Sequence, residues 1–250
     1  MRVTIIGHGP APTQATTGAS GILVEAGATR LLLDCGQGVI GPLLERLDPR
    51  ELDAVVIGHM HADHYLDVVG LRYLFPWAGE PPRRLPLHLP PRGTERLTML
   101  ASAISERPTF FEDAFTVAEY AEEVALEIGE LRVVPFRARH YVPAWGMAVT
   151  DRAGRRLVYA GDTGPSDRLV DVARGADLLV CEASLADVSE DDGARGHLTA
   201  TEALDVARSA GVGRTIVTHF ASRLRPSIEA AIAASGLRAE AARPGLSVEV

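Results

Sequence analysis

Gly58-His59-Met60-His61-Ala62-Asp63-His64 packs four metal-binding side chains into six residues, directly after the apolar run Ala54-Val55-Val56-Ile57. The run reads as a strand, and the cluster as the loop delivered at its carboxyl end. Three neutral imidazoles and a carboxylate form a borderline-soft ligand set that suits zinc. The spacing lets His59 and His61 face one metal while Asp63 and His64 face a neighbour. One such histidine alone would read as a core or surface residue; four ligand types in a single loop are seldom without chemistry.

The remaining candidates recur at strand exits. His140 lies four residues past a strand ending at Phe136, Asp162 stands in Gly161-Asp162-Thr163 after Leu157-Val158-Tyr159-Ala160, and His219 follows Ile216-Val217-Thr218. In layered α/β folds the carboxyl ends of strands gather on one rim, so positions up to 160 residues apart can converge on one site. Singly, His140 or His219 is an ordinary surface residue. Together with the loop cluster they make seven ligand-type residues for two metals, and Asp162 is the natural bridge because a carboxylate has two oxygens to share.

The rest of the chain fits one large α/β domain over residues 1–250. The 250 residues are 46% apolar, enough to bury a substantial core. A formal charge of −8 argues against general affinity for nucleic-acid backbones. All 25 basic residues are Arg, so a side-chain phosphate clamp would have to be Arg or His. Cys35 and Cys181 each end an apolar run, which predicts buried free thiols in a reducing compartment. The N-terminus reads as a strand rather than a leader, and no run reaches membrane-spanning length, so a cytoplasmic protein is expected.

Local patterns predict a strand at 2–6, a hairpin pairing 22–25 with 30–33, a helix at 67–75 and an irregular stretch at 76–91. Helical signals return at Thr94-Glu95-Arg96-Leu97, and strands are predicted at 124–128, 131–136, 145–149, 156–160, 177–180 and 215–218. Thr199-Ala200-Thr201-Glu202 is a capping box for a helix that Gly211 stops. Leu71-Arg72-Tyr73-Leu74-Phe75-Pro76-Trp77 concentrates aromatic side chains in a chain only 5% aromatic, a pattern that core packing and a homodimer interface both fit.

These motifs resemble the metallo-β-lactamase-fold hydrolases, and within them the ribonuclease Z and phosphodiesterase branch. Asp34-Cys35-Gly36-Gln37-Gly38 resembles the first motif of that family, residues 59–64 the second, His140 the third, Gly161-Asp162-Thr163 the fourth and Thr218-His219-Phe220 the fifth. Cys181-Glu182-Ala183-Ser184, followed by Gly196-His197-Leu198-Thr199, resembles the acidic residue and His-x-Thr element of the phosphodiester branch, and Ala221-Ser222-Arg223 its tail after the last ligand. The resemblance implies a four-layer αββα sandwich. It implies one metal on His59, His61 and His140, a second on Asp63, His64 and His219, and Asp162 between them. Two zinc ions are the implied cofactors, with manganese the substitute.

Two departures bear on the substrate. Only 21 residues separate His140 from Asp162, where ribonuclease Z enzymes with a tRNA-gripping arm insert it. Pro12-Thr13-Gln14-Ala15 also lacks the basic residue and Arg-Asn pair usual in that loop. The chain is therefore more similar to small arm-less relatives that hydrolyse cyclic nucleotides or other small phosphodiesters than to a tRNA 3′-processing enzyme, and RNA is the less favoured partner. Two nearby zinc ions would lower the pKa of water between them to about 7 and so supply hydroxide at neutral pH. Asp63 would orient or deprotonate it, and His197, oriented by Glu182, would protonate the departing alkoxide; the plain alternative for His197 is a surface residue leading the Thr199-capped helix. Asp34 reads as an outer partner that fixes a ligand imidazole and His88 as structural or surface, while the sequence leaves open whether His8, on the N-terminal loop, approaches the substrate. A lactonase or thioesterase could use the same metals on a carbonyl. The want of an export signal argues against β-lactamase activity, and His61 against the di-iron members, which carry Glu there.

Overall fold

The computed structural model of the protein describes residues 1–75, 83–191 and 193–250. Among these, β1 (Arg2–Gly7), β2 (Gly21–Ala26), β3 (Thr29–Leu33), β4 (Ala54–Val56), β5 (Leu85–Leu89) and β6 (Phe115–Glu119) pair in order as one sheet. The second sheet contains β7 (Leu126–Ile128), β8 (Leu131–Arg137), β9 (Trp145–Asp151), β10 (Arg156–Tyr159), β11 (Leu178–Glu182), β12 (Arg214–Thr218) and β13 (Ala239–Ala241), and β14 (Ser247–Glu249) returns to flank β1 in the first. The first sheet is antiparallel from β14 to β3 and parallel from β3 to β6. In the second, β10 to β13 run parallel, with β9, β8 and β7 added antiparallel.

The layers follow from the two-residue period of strands whose both faces are apolar. Leu31 and Leu33 of β3 pack with Leu157, Tyr159, Leu178 and Val180 in the core between the sheets. Leu32 points the other way, onto the helices Ile40–Leu44, Val68–Arg72 and Gly93–Ile104. In the second sheet Val158, Leu179 and Cys181 turn outward onto the helices Asp167–Ala173 and Ala200–Ala210. Three cores separate four layers, an αββα sandwich. Cutting any of the three consecutive leucines to Ala would cost about 2–5 kcal/mol, because all three are fully buried.

Local signals hold where their causes are local. Thr199 Oγ1 accepts from Glu202 N, Glu202 Oε2 accepts from Thr199 N, and Gly211 ends that helix in the left-handed region. The irregular stretch expected at 76–91 is corrected: β5 lies within it, with Leu85, Leu87 and Leu89 facing a core. Pairing with β4 begins only at Leu87, so Pro86 sits outside that ladder and its missing N–H costs nothing there. The aromatic segment is mostly core as well. Leu71 and Phe75 are buried, Arg72 lies over the rings of Tyr73 and Phe110, and only Tyr73 stands out; Pro76 and Trp77 fall outside the described residues. No helix among the described residues is long and apolar enough to cross a membrane.

Candidate metal centre

The parallel strands deliver their carboxyl ends to one rim. There β4 releases the 58–66 loop, and the Asp34-Cys35-Gly36 turn after β3 holds it. Asp34 Oδ1 accepts from Gly58 N at 2.7 Å, Cys35 N donates to His64 O at 2.7 Å, and Ser20 N donates to Asp63 O at 3.1 Å. The approach is so close that a Cβ on Gly36 would lie 1.9 Å from the Asp63 carbonyl oxygen, which is why that position tolerates only glycine. Asp34 and His219 are both non-glycine residues with φ near +55°, at 59° and 53°. Each such conformation costs roughly 1–3 kcal/mol and persists where surrounding structure enforces it.

Seven of the residues singled out in the sequence meet in two adjoining groups. His59, His61 and His140 form one; Asp63, His64, Asp162 and His219 form the other, with donor atoms in each group within 4.8 Å of one another. His61 Nδ1 lies 3.0 Å from His59 Nε2 and 3.2 Å from His140 Nε2. His219 Nε2 lies 3.1 Å from Asp63 Oδ2 and 3.4 Å from Asp162 Oδ1, while His64 Nε2 lies 3.3 Å from Asp162 Oδ1. The other oxygen of Asp162, Oδ2, faces the first group, 3.8 Å from His59 Nε2 and 3.9 Å from His140 Nε2. One carboxylate thus offers a separate oxygen to each cluster.

This donor set suits cations. His64 Nε2 and Asp162 Oδ1 are buried with no hydrogen-bond partner, although unsatisfied buried polar atoms are rare. In the metal-free chain burial opposes charge on His64, yet the carboxylates of Asp162 and Asp34 outweigh it and raise its pKa well above the ordinary value. Burial would likewise raise the Asp162 carboxyl, but the imidazoles of His219 and His64 hold it well below the usual carboxylate range. A pocket that keeps protons on buried imidazoles attracts positive charge in general.

The outer partners set the tautomers. Asp34 Oδ2 accepts from His64 Nδ1 at 2.7 Å and from the Tyr159 hydroxyl at 2.6 Å. His219 Nδ1 donates to Ser184 Oγ at 2.8 Å, and that hydroxyl donates to the His219 carbonyl at 2.9 Å. His140 Nδ1 donates to Gly196 O at 2.8 Å. Each contact leaves the Nε2 lone pair turned inward.

Beside the clusters, His197 Nδ1 donates to Glu182 Oε1 at 2.6 Å. Glu182 is buried and held by the amides of Thr163 and Ser184, at 2.9 and 3.0 Å. Burial disfavours charge on His197, but the hydrogen bond and charge of Glu182 prevail and push its pKa up to about 9. His197, Asp63, His61, Asp162 and His219 line a cleft of about 440 Å³ together with Pro10, Ala11, Pro12, Tyr141 and Ser184. Among the described residues no Arg lines it.

The structure places His8 away from the cleft. It is buried with its ring centroid 4.9 Å from that of Phe220, and does not line the cleft, because Gly9 N and Gly18 O tie its loop down at 2.9 Å. Burial and the charge of Arg225 lower its pKa to about 4. His88 is half-buried within β5. Both cysteines are buried and free. The sequence reading assigned Tyr159, Ser184 and Tyr141 no role at the site; for Tyr141 the available signal was an aromatic ring directly following a candidate ligand.

Residues 29–220 match the family described as the beta-lactamase superfamily domain. An uncharacterized protein of Mycobacterium tuberculosis is 35% identical over 225 residues, covering 88% of this chain and 81% of the relative. The probable metallo-hydrolase YhfI of Bacillus subtilis is 30% identical over 226 residues, covering 88% and 87%, and a ribonuclease Z of Archaeoglobus fulgidus is 27% identical over 274, covering 89% and 88%. The crystal structure of YhfI superposes with a TM-score of 0.86 at 24% identity, covering 99% of each chain. A diphosphatase from the PhnP family superposes with a TM-score of 0.74 at 19% identity, covering 100% and 97%.

Proposed function

The chain belongs to the β-lactamase superfamily of metallo-hydrolases, and from that membership we propose that it is a phosphodiesterase acting on a small or cyclic phosphodiester at a dinuclear metal site. The observation that carries the reading is Asp162, whose two oxygens face two separate ligand clusters while the His197–Glu182 pair stands beside them in the same cleft. His59, His61 and His140 would hold one ion, and Asp63, His64 and His219 the other, with Asp162 shared. Zinc fits the imidazoles and manganese the more oxygen-rich half. When bound, the two ions supply Lewis acidity toward the phosphoryl oxygens and acidify water at neutral pH.

The chain's own residues do the rest. Asp63 lines the cleft and is the base that orients the attacking water and takes its proton. His197 Nε2 has no hydrogen-bond partner among the described residues, so with Nδ1 held by Glu182 the ring can deliver a proton to the departing alkoxide. Glu182 keeps that ring protonated and aimed. The related ribonuclease Z enzymes raise tRNA 3′-processing as the rival, and the cleft speaks against it. Only the β9–β10 hairpin fills the space between His140 and Asp162, and no described Arg lines the cleft to take backbone phosphates.

The metal-loaded protein should hydrolyse bis-p-nitrophenyl phosphate and cyclic nucleotides and leave a tRNA precursor and a lactone intact. Hydrolysis of the lactone without action on phosphodiesters would overturn the reading. His197→Ala should keep both metals yet lose on the order of 10²–10⁴ in turnover on diesters with poor alkoxide leaving groups. The loss should be smaller with p-nitrophenolate, which leaves without a proton.

A further inference from the structure

Tyr141 is an exposed aromatic side chain held still at the mouth of the cleft. It is 55% exposed, an unusual position for a large ring in a chain with 5% aromatic residues. Its hydroxyl donates to Asp191 Oδ2, and its centroid lies 4.9 Å from that of His140 and 5.5 Å from that of His197. Gly196 packs beneath the ring: a Cβ there would meet three ring carbons at 2.7 to 2.9 Å. The ring is thus fixed by a hydrogen bond, two imidazoles and a glycine, and still presents surface to the cleft it lines. Pro10, Ala11 and Pro12 add further apolar wall. Gln14 Nε2 donates to Pro12 O at 2.8 Å, and Gln37 Nε2 to Ala11 O at 3.0 Å, so that wall is tied down too.

The charge balance of the cleft narrows what this surface can meet. With no described Arg in the lining and the protonated His197 turned to the leaving group, nothing there clamps a second or third phosphate, and the apolar wall favours a neutral, flat group. We infer that Tyr141 is the specificity-determining platform on which a planar ring of the substrate stacks, so that the cleft selects phosphodiesters carrying a nucleobase or comparable flat group over base-free ones. This rests on the phosphodiesterase reading of the site and names its substrate class. Aromatic stacking is sequence-tolerant, so purine and pyrimidine diesters are both accepted, with the larger purine face favoured.

The test is a ratio. For the metal-loaded wild type, Tyr141→Phe, Tyr141→Leu and Tyr141→Ala, kcat/KM is measured on 3′,5′-cyclic AMP and on the matched base-free diester, methyl riboside 3′,5′-cyclic phosphate. Calorimetry on the same proteins compares binding of adenosine 5′-monophosphate with that of ribose 5-phosphate. Wild type and Tyr141→Phe should prefer the base-bearing member of each pair by about 5- to 150-fold, the range that one stacked base supplies. In Tyr141→Ala and Tyr141→Leu that preference should collapse toward one, carried by KM rather than kcat. A preference that survives in both non-aromatic variants, or that is missing in the wild type, overturns the inference; a uniform loss on both diesters, with the ratio kept, would assign Tyr141 to bracing His140 and Gly196. If neither diester is cleaved but the binding preference still depends on Tyr141, the phosphodiesterase reading fails and the platform stands. If both diesters are cleaved without preference, the phosphodiesterase reading stands and the platform fails.

Discussion

The two ligand clusters share Asp162 and differ in nearly everything else. Asp63, His64, Asp162 and His219 are all buried; in the other cluster the imidazoles of His59 and His140 are only 1% exposed as well, and His61 alone is half-buried. Behind the first, deep cluster stand the Asp34 carboxylate and the Ser184 hydroxyl; behind the other, shallow only at His61, the described residues place one carbonyl, that of Gly196. An anionic outer partner makes an imidazole a stronger ligand, and burial strengthens every charge interaction. The deep cluster is therefore the better braced of the two, and the other reaches the cleft through His61. Each draws on both sheets, so a bound ion also fastens the first sheet to the second.

The largest effect should come from Asp162→Ala, which removes the carboxylate that faces both clusters. Metal per chain should fall from two to at most one weakly held ion, with hydrolysis at background; two ions retained by mass spectrometry would remove Asp162 from the centre. Asp34→Ala should weaken only the deep cluster, by about 10- to 100-fold in metal affinity. Competition with a chelator checks it, and an equal weakening of both ions would erase the distinction between the clusters.

The smallest effect is a shift in one titration. Because Glu182 holds His197 near 9, above its ordinary 6.5, the protonated ring's contribution to stability in the metal-free protein is fully present below about pH 6.5 and is lost as pH rises through about 9. Glu182→Gln removes that support while burial still disfavours the charge. The His197 midpoint, followed by NMR, should then drop by two pH units or more, on the order of the whole shift now present. A midpoint that stays near 9 would mean that something other than Glu182 keeps the ring charged.

What could be read without coordinates follows how local each cause is. The 59–64 cluster was legible because one strand delivers all four side chains, and the Thr199–Glu202 cap because both partners lie within one turn. His140, Asp162 and His219 were legible through a shared habit, each leaving the end of a strand. Tyr159 and Ser184 were not, since their roles exist only once β10 and β11 lie beside the ligands. Flanking prolines concealed β5. The three-residue edge strands β13 and β14 take their definition from the neighbours they pair with, so nothing in Ala239-Glu240-Ala241 alone announces a strand. The place of His8 could not be read, because nothing in a Gly- and Pro-rich loop announces the Phe220 ring it packs against.

Stepwise zinc titration of the metal-free protein, with stoichiometry read by calorimetry and by elemental analysis, bears most directly on a centre of two unequal clusters joined at Asp162. Two ions per chain should bind in two resolved steps, the tighter one retained in His61→Ala and the weaker one lost. A single ion per chain in the wild type, or loss of the tighter step in His61→Ala, would contradict it.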